Sequence, residues 1–230
     1  EEMNRADSLL NKAHKNVVGF ALTILQRRLA SSPEAIYQSI RRRHRRLNNI
    51  LEEIKRGNSN NGAHLPEAHM EYPALEIAMS EDWDIQEELP AAEEEEMEDE
   101  LVQQASAAKT VKELEIEIEK LKYLSQLAEK VVASCHDRKW EEVSNLIHSE
   151  GISLERKLII FTEHKDTLLY LERRLVNLYG RKDAVAVIHG GVSRELRRKI
   201  QDSFRNDPDL KVLIATDAAG EGVNLQNTNL

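Results

Sequence analysis

The chain has 230 residues, 40% hydrophobic and 4% aromatic, with a formal charge of −9; that length suits one large or two small domains, and that composition suffices for a core. No long uncharged apolar segment and no basic-then-apolar leader is present, which points to a soluble protein with neither membrane span nor signal peptide. The single cysteine, Cys135, excludes an internal disulfide and suits a reducing, cytoplasmic setting.

Charge is unevenly placed along the chain. Residues 1–56 hold 12 basic and 6 acidic side chains, 57–108 hold 15 acidic and none basic, and 109–230 balance at 20 of each. A basic segment before an acidic one is a pattern of nucleic-acid binders with solvated insertions, and equally of an ordinary charged helix followed by a tether. The opening Glu1-Glu2 and the closing NTNL give the chain the look of a piece of something longer.

The first segment, residues 1–56, reads as two helices divided at Ser31-Ser32-Pro33-Glu34, where Ser32 suits an N-cap and Pro33 the first helical position. Val17, Phe20, Ala21, Ile24, Leu25 and Leu29 recur at helical spacing before the break. Ile36, Ile40, Leu47, Ile50, Leu51 and Ile54 do so after it. Within the second helix, RRRHRR at 41–46 spreads five arginines around most of the circumference, so some of them point away from the core. Those arginines suit either an acid-paired or solvated face or a phosphate-contacting surface.

From Gly57 the sequence becomes GNSNNGAHLPEAH, and Glu93 to Glu100 is nearly pure acid. A flexible acidic insertion is expected over 57–108, serving solubility or competing with nucleic acid for the arginines. A helical segment follows over 109–154. Its long helix starts near Thr110, with Val111, Leu114, Ile118, Leu121, Leu124, Ala128, Val131 and Val132 on one face. A further helix from Lys139 to His148 is expected to bury Trp140, Val143, Leu146 and Ile147.

From 155 to 230 the pattern is α/β. KLIIFT, a helix over 165–179, AVAVIH, a helix over 194–204 capped by Ser193, and KVLIATD alternate apolar strands with amphipathic helices. Such alternation predicts a partial parallel βαβαβ sheet with right-handed crossovers and ligands beyond the carboxyl ends of the strands. Those ends are Thr162-Glu163-His164-Lys165, His189 to Ser193, and Thr216 to Gly222. In the last helix Leu196, Ile200 and Phe204 form the apolar stripe, and the free amides at its N-terminus favour an anion.

LIIFTEHKDTLLYL (158–171), IHGGVSRELRRKIQDSF (188–204) and VLIATDAAGEGVNLQ (212–226) together resemble the second RecA-like lobe of superfamily-two helicases. More narrowly, they resemble Swi/Snf-type DNA translocases, especially the bacterial branch of RNA-polymerase-associated and phage-defence enzymes. ALTILQRRLASSPEAIYQSI (21–40) is similar to the helical segment joining the two lobes in that branch. Any one motif is weak; three in order are specific.

The resemblance implies a fold and a set of roles. The fold is a helical segment followed by a partial RecA-like lobe. Thr162, His189, Gly190, Gly191, Ser193 and Arg197 would face a nucleic-acid backbone, with Arg194 and Arg198 beside them. Asn224 would join them, as would Arg41, Arg42 and Arg43 if those arginines take the phosphate-contacting role. Thr216, Asp217, Gly220, Glu221 and Gly222 would couple that track to the ATP cleft between lobes. Glu221 departs from the glycine many relatives carry, and a carboxylate facing phosphate is unfavourable unless it turns away or meets a base; no catalytic role is assigned to it.

The implied cofactors are ATP and Mg²⁺, used by a parent ATP hydrolase. The implied partners are double-stranded DNA and the N-terminal RecA-like lobe of the same parent chain, with no membrane. The 230 residues contain no G-x-x-x-x-G-K-[ST] loop, no acidic Mg²⁺ motif and no arginine-bearing final motif, so they are not expected to hydrolyse ATP alone. A competing reading makes residues 1–150 a non-catalytic helical module that recruits a protein partner on a degenerate lobe.

Overall fold

The computed structural model describes residues 12–57, 91–106, 108–134, 136–149 and 157–216. The chain divides into two compact units, one of Glu1–Leu89 with Glu94–Ser134, the other of Pro90–Glu93 with Cys135–Leu230. Helices predominate, and a small three-stranded parallel sheet lies in the second unit. Among the described residues no helix is long and apolar enough to cross a membrane.

In the helical unit, α1 (Lys12–Ser31) and α2 (Pro33–Gly57) meet at Ser32. Its buried Oγ accepts the Ala35 amide at 3.1 Å, and Pro33 opens α2 where no amide is needed, as the sequence predicts. Helix α3 (Ala91–Gln104) lies in the acidic stretch, and α4 (Val111–Ala133) follows it. Thr110 caps α4 by accepting the Glu113 amide at 3.3 Å, while Glu113 Oε2 accepts the Lys109 amide at 2.8 Å. This is a capping box shifted back by one residue.

Two apolar clusters hold this unit. Ile40, Leu47, Leu51 and Ile54 of α2 pack on Ala108 and on Leu114, Ile118 and Leu121 of α4. Ala21 and Ile24 of α1 pack on Leu101, Val102 and Ala105. The second cluster corrects the expected flexible insertion over part of its length. Residues 58–90 lie outside the described set, but 91–104 form a helix in which Leu101 and Val102 are buried.

In the α/β unit, Asp137 caps α5 (Arg138–Ser149), its Oδ1 accepting the Lys139 and Trp140 amides at 3.0 and 3.2 Å. The sheet is built from β1 (Leu158–Thr162), β2 (Val185–Ile188) and β3 (Val212–Thr216), in the order β1-β3-β2 and all parallel. Helices α6 (Lys165–Tyr179) and α7 (Arg194–Asn206) make the crossovers. β3 is central and wholly buried, and its side chains alternate. Val212 and Ile214 join Leu168, Leu171 and Leu175 of α6, while Leu213 and Ala215 join Ile188 and Phe204 of α7. A parallel sheet covered on both faces explains the uninterrupted apolar run VLIA.

In the α/β unit two positions of the expected apolar faces are not in the core. Leu146 of α5 and Leu196 of α7 are about half exposed, because each helix seats only a narrow stripe: Ile147 with Trp140 and Val143 in one, Phe204 with Ile200 in the other. Polar contacts finish the packing. Arg174 lies over the rings of Tyr170 and Trp140, 5.2 and 5.6 Å from their centroids, tying α6 to α5. Lys157 donates to the Phe204 and Asp207 carbonyls at the end of α7, where a cation is favoured.

Candidate nucleic-acid interface

The strand register brings three of the sequence-predicted residues to one edge. Thr162 ends β1 and pairs with Thr216 at the end of β3. Ile188 pairs with Ala215, so His189, the next residue, is level with Thr216. Thr162, Thr216 and His189 therefore stand in a row across the carboxyl edge, the ligand side of an open parallel sheet.

The loop after β2 is organised by His189. Its Nδ1 accepts the Gly191 amide at 3.1 Å, and its carbonyl accepts the Val192 amide at 2.9 Å. A proton on Nδ1 would break the first bond, so this geometry selects the neutral ring with hydrogen on Nε2. Partial burial, then the charges of Lys165 and Arg197, push the His189 pKa below its ordinary value. A Cβ at Gly191 would lie 3.2 Å from His189 Cε1, which gives this glycine a steric reason.

At the following turn the exposed Ser193 Oγ accepts the Leu196 amide at 3.3 Å and caps α7. The Ser193 carbonyl accepts the Arg197 amide at 2.8 Å. Gly190 and Gly191, the Ser193 cap and the half-buried Arg197 thus form one polar rim at a helix N-terminus, where amides and the helix dipole attract an anion. Arg194 and Arg198 are exposed on the same helix. Lys165, the first residue of α6, was not singled out from the sequence; its charge reaches His189. Its position just past β1, on the predicted ligand edge, was the available signal.

Thr216 is 1% exposed, and its hydroxyl has no hydrogen-bond partner among the described residues. It leads into the segment where the nucleotide-facing motif is expected, and a buried hydroxyl without a partner suits a site completed by a further polar group. Asp217, Gly220, Glu221, Gly222 and Asn224 lie outside the described residues.

The arginine run of α2 belongs to the helical unit, and much of its charge is already engaged. Arg43 is buried, donating to Glu117 at 2.6 Å and to the Val102 carbonyl at 3.1 Å. Arg42 pairs with Asp99 of α3 at 3.2 Å, Arg28 of α1 pairs with the same carboxylate, and Arg27 meets Glu98 at 2.7 Å. Arg41, Arg45 and Arg46 remain exposed. Of the three arginines expected to meet phosphate, Arg43 has no open surface to offer, because Glu117 and Val102 hold its guanidinium inside the unit.

Comparison with known proteins agrees with the fold. Residues 138–230 match the family model of the helicase conserved C-terminal domain. An uncharacterized ATP-dependent helicase of Bacillus subtilis is 37% identical over 33% of this chain and 13% of its own. A pre-mRNA-splicing ATP-dependent RNA helicase of Scheffersomyces stipitis is 40% identical over 34% of this chain and 16% of its own. A Pseudomonas syringae ATP-dependent RNA helicase is 31% identical over 48% of this chain and 26% of its own. The chain thus spans about a quarter or less of the length of these relatives. No solved structure matches it. In its motifs, its parallel sheet and this match, the stretch 138–230 is similar to the C-terminal domain of superfamily-two helicases.

Proposed function

We propose that this chain is the C-terminal lobe, with its helical unit, of an ATP-dependent nucleic-acid motor that tracks along double-stranded DNA. The observation that carries the reading is the row Thr162, Thr216 and His189 at one sheet edge, with the Ser193 cap and Arg197 beside it. Amides, a hydroxyl and a guanidinium there suit phosphate oxygens, and contacts of that kind position a protein without reading sequence. Salt then weakens binding steeply through counterion release.

ATP, which the other lobe of the parent would mainly hold together with Mg²⁺, would draw the two lobes closed on binding and supply phosphoryl transfer, after which they would reopen. Thr216 and the segment after it are the part of this chain that would meet the nucleotide. The glycines Gly220 and Gly222 let backbone approach phosphate or ribose. The motif resemblance to Swi/Snf-type translocases supports duplex DNA as the track.

RNA is the second reading, favoured by the names of the yeast and Pseudomonas relatives. The test is binding of the chain to duplex DNA and to RNA of equal length at several salt concentrations, with Ser193→Ala and Arg197→Ala. Preference for duplex DNA, weakened by both substitutions, supports the proposal. Tighter RNA binding moves the track to RNA, and binding indifferent to both substitutions removes the rim from the interface.

A further inference from the structure

The five arginines of α2 are sorted by the neighbours they meet. Arg43 is buried on Glu117, and Arg42 pairs with Asp99 of α3. Arg46 shares a shallow cavity with Glu96, Asp99 and Glu100 of α3. Arg41 and Arg45 are exposed, and among the described residues no carboxylate pairs with either. Residues 35–51 contain no Asp or Glu. The acids that bracket this stretch are occupied: Glu34 accepts from the Gln38 side-chain amide at 2.9 Å, and Glu52 pairs with Arg56 at 2.7 Å. Like charges one turn apart repel, and α2 leaves this pair uncompensated where its other arginines have acids.

The surroundings of the pair say what it would meet. Tyr37, Arg41, Arg45 and Asn49 recur every four residues and share one stripe of α2, with about 6 Å of helix between neighbours. A phenol, two guanidiniums and an amide are donors of the kind that meet phosphate and sugar oxygens. On the side toward α4, the charges that reach His44 are Lys122 and Glu119, which lie 3.9 Å apart and offset each other. The net charge of the stripe is therefore that of the two arginines. Among the described residues no large apolar side chain of 35–51 is exposed, so the stripe lacks the apolar centre of a protein interface. A polynucleotide strand repeats its charge every ~3.4 Å and offers each guanidinium its own phosphate.

We propose that the stripe Tyr37, Arg41, Arg45 and Asn49 is a second nucleic-acid contact, on the helical unit, that takes backbone phosphates without reading bases. The inference rests on the reading of this chain as part of a nucleic-acid motor, but not on the rim of the α/β unit.

Anisotropy of a labelled DNA duplex of about 20 base pairs, and of an RNA duplex of equal length, titrated with the 230-residue chain at several salt concentrations, tests it. Arg41→Glu with Arg45→Glu is expected to weaken both complexes at least ~10-fold and to lower the slope of log K against log salt by about two, one for each phosphate lost. The melting curve is expected to stay in place. Arg41→Gln with Arg45→Gln gives a smaller loss of the same kind and serves if charge reversal disturbs the fold. Lys112→Glu with Lys130→Glu, the same charge change at exposed positions of α4, is expected to alter binding by less than about 2-fold.

A chain that binds neither duplex, binding unchanged by the arginine pair, or a loss matched by the lysine pair overturns the proposal. A lower melting temperature of the arginine pair with binding intact also overturns it and gives the two arginines a structural role. Arg197→Ala, measured alongside, separates the two surfaces. Loss with Arg197→Ala but not with the arginine pair overturns this inference and leaves the rim; loss with the arginine pair but not with Arg197→Ala supports it and removes the rim.

Discussion

Arg43 Nη2 lies 2.6 Å from Glu117 Oε1, with only 5% and 3% of the two side chains exposed. Glu117 also accepts the Ser106 hydroxyl at 2.6 Å, so one buried carboxylate joins α2, α4 and the segment after α3. Removing either charge strands the other in a low-dielectric interior, which costs about 3–5 kcal/mol. Arg43→Met and Glu117→Gln are each expected to lower the unfolding free energy by that amount, and the urea midpoint with it. Arg41→Ala, two positions away and exposed, is expected to stay within about 0.5 kcal/mol. Urea unfolding of the three variants checks the contrast.

The two pKa-shifted histidines give stability a definite pH slope. His189 and His44 both have pKa values pushed below the ordinary one, first by burial and then by neighbouring cations: Lys165 and Arg197 for the former, Lys122 for the latter, whose shift Glu119 opposes. The unfolded chain therefore takes up protons first as pH falls through about 6.5. Stability is expected to decline across that window and to stop responding to these two groups below their folded pKa values. His189→Gln is expected to flatten the decline, as read from melting temperature between about pH 7 and pH 5.

Gly191→Ala tests the seat of that histidine. The added Cβ meets the His189 ring at 3.2 Å, so the ring is expected to swing toward solvent and surrender the Gly191 amide. With less burial, the His189 pKa is expected to rise toward its ordinary value. An NMR titration of the imidazole reads the shift; an unmoved pKa would show that the loop gives way instead.

Helix ends give two smaller effects. Gly180 closes α6 at φ +70°, its amide donating to the Val176 carbonyl at 2.9 Å. Gly180→Ala places a side chain in the left-handed region and is expected to cost about 1 kcal/mol. Ser193→Ala removes the cap of α7 for a loss of ~1 kcal/mol. Thermal melts check both. Only the second is expected to weaken nucleic-acid binding as well.

The sheet was legible because each strand is a short apolar run ending in polar or glycine residues, and β3 shows full burial on both faces. The Ser32-Pro33 break and the Ser193 cap were legible because their chemistry is local. What periodicity could not supply was the partner of each surface. It placed Leu29, Leu124 and Val131 on apolar faces but could not show that they stay exposed, since helical spacing marks an apolar face without saying what covers it. It offered Arg42 and Arg43 to phosphate because the acids that hold them, Asp99 and Glu117, are more than fifty residues away in the chain. It read 91–104 as solvated because its first half is acidic, although Leu101, Val102 and Ala105 anchor the end of the stretch.

ATP hydrolysis by the parent chain, including the lobe that carries the phosphate-binding loop, tests the central claim most directly when measured with and without duplex DNA and with Thr216→Ala and Arg197→Ala. The account predicts hydrolysis strongly stimulated by duplex DNA and reduced by both substitutions. Hydrolysis unresponsive to any nucleic acid from a folded protein, or stimulation unchanged by either substitution, would contradict it.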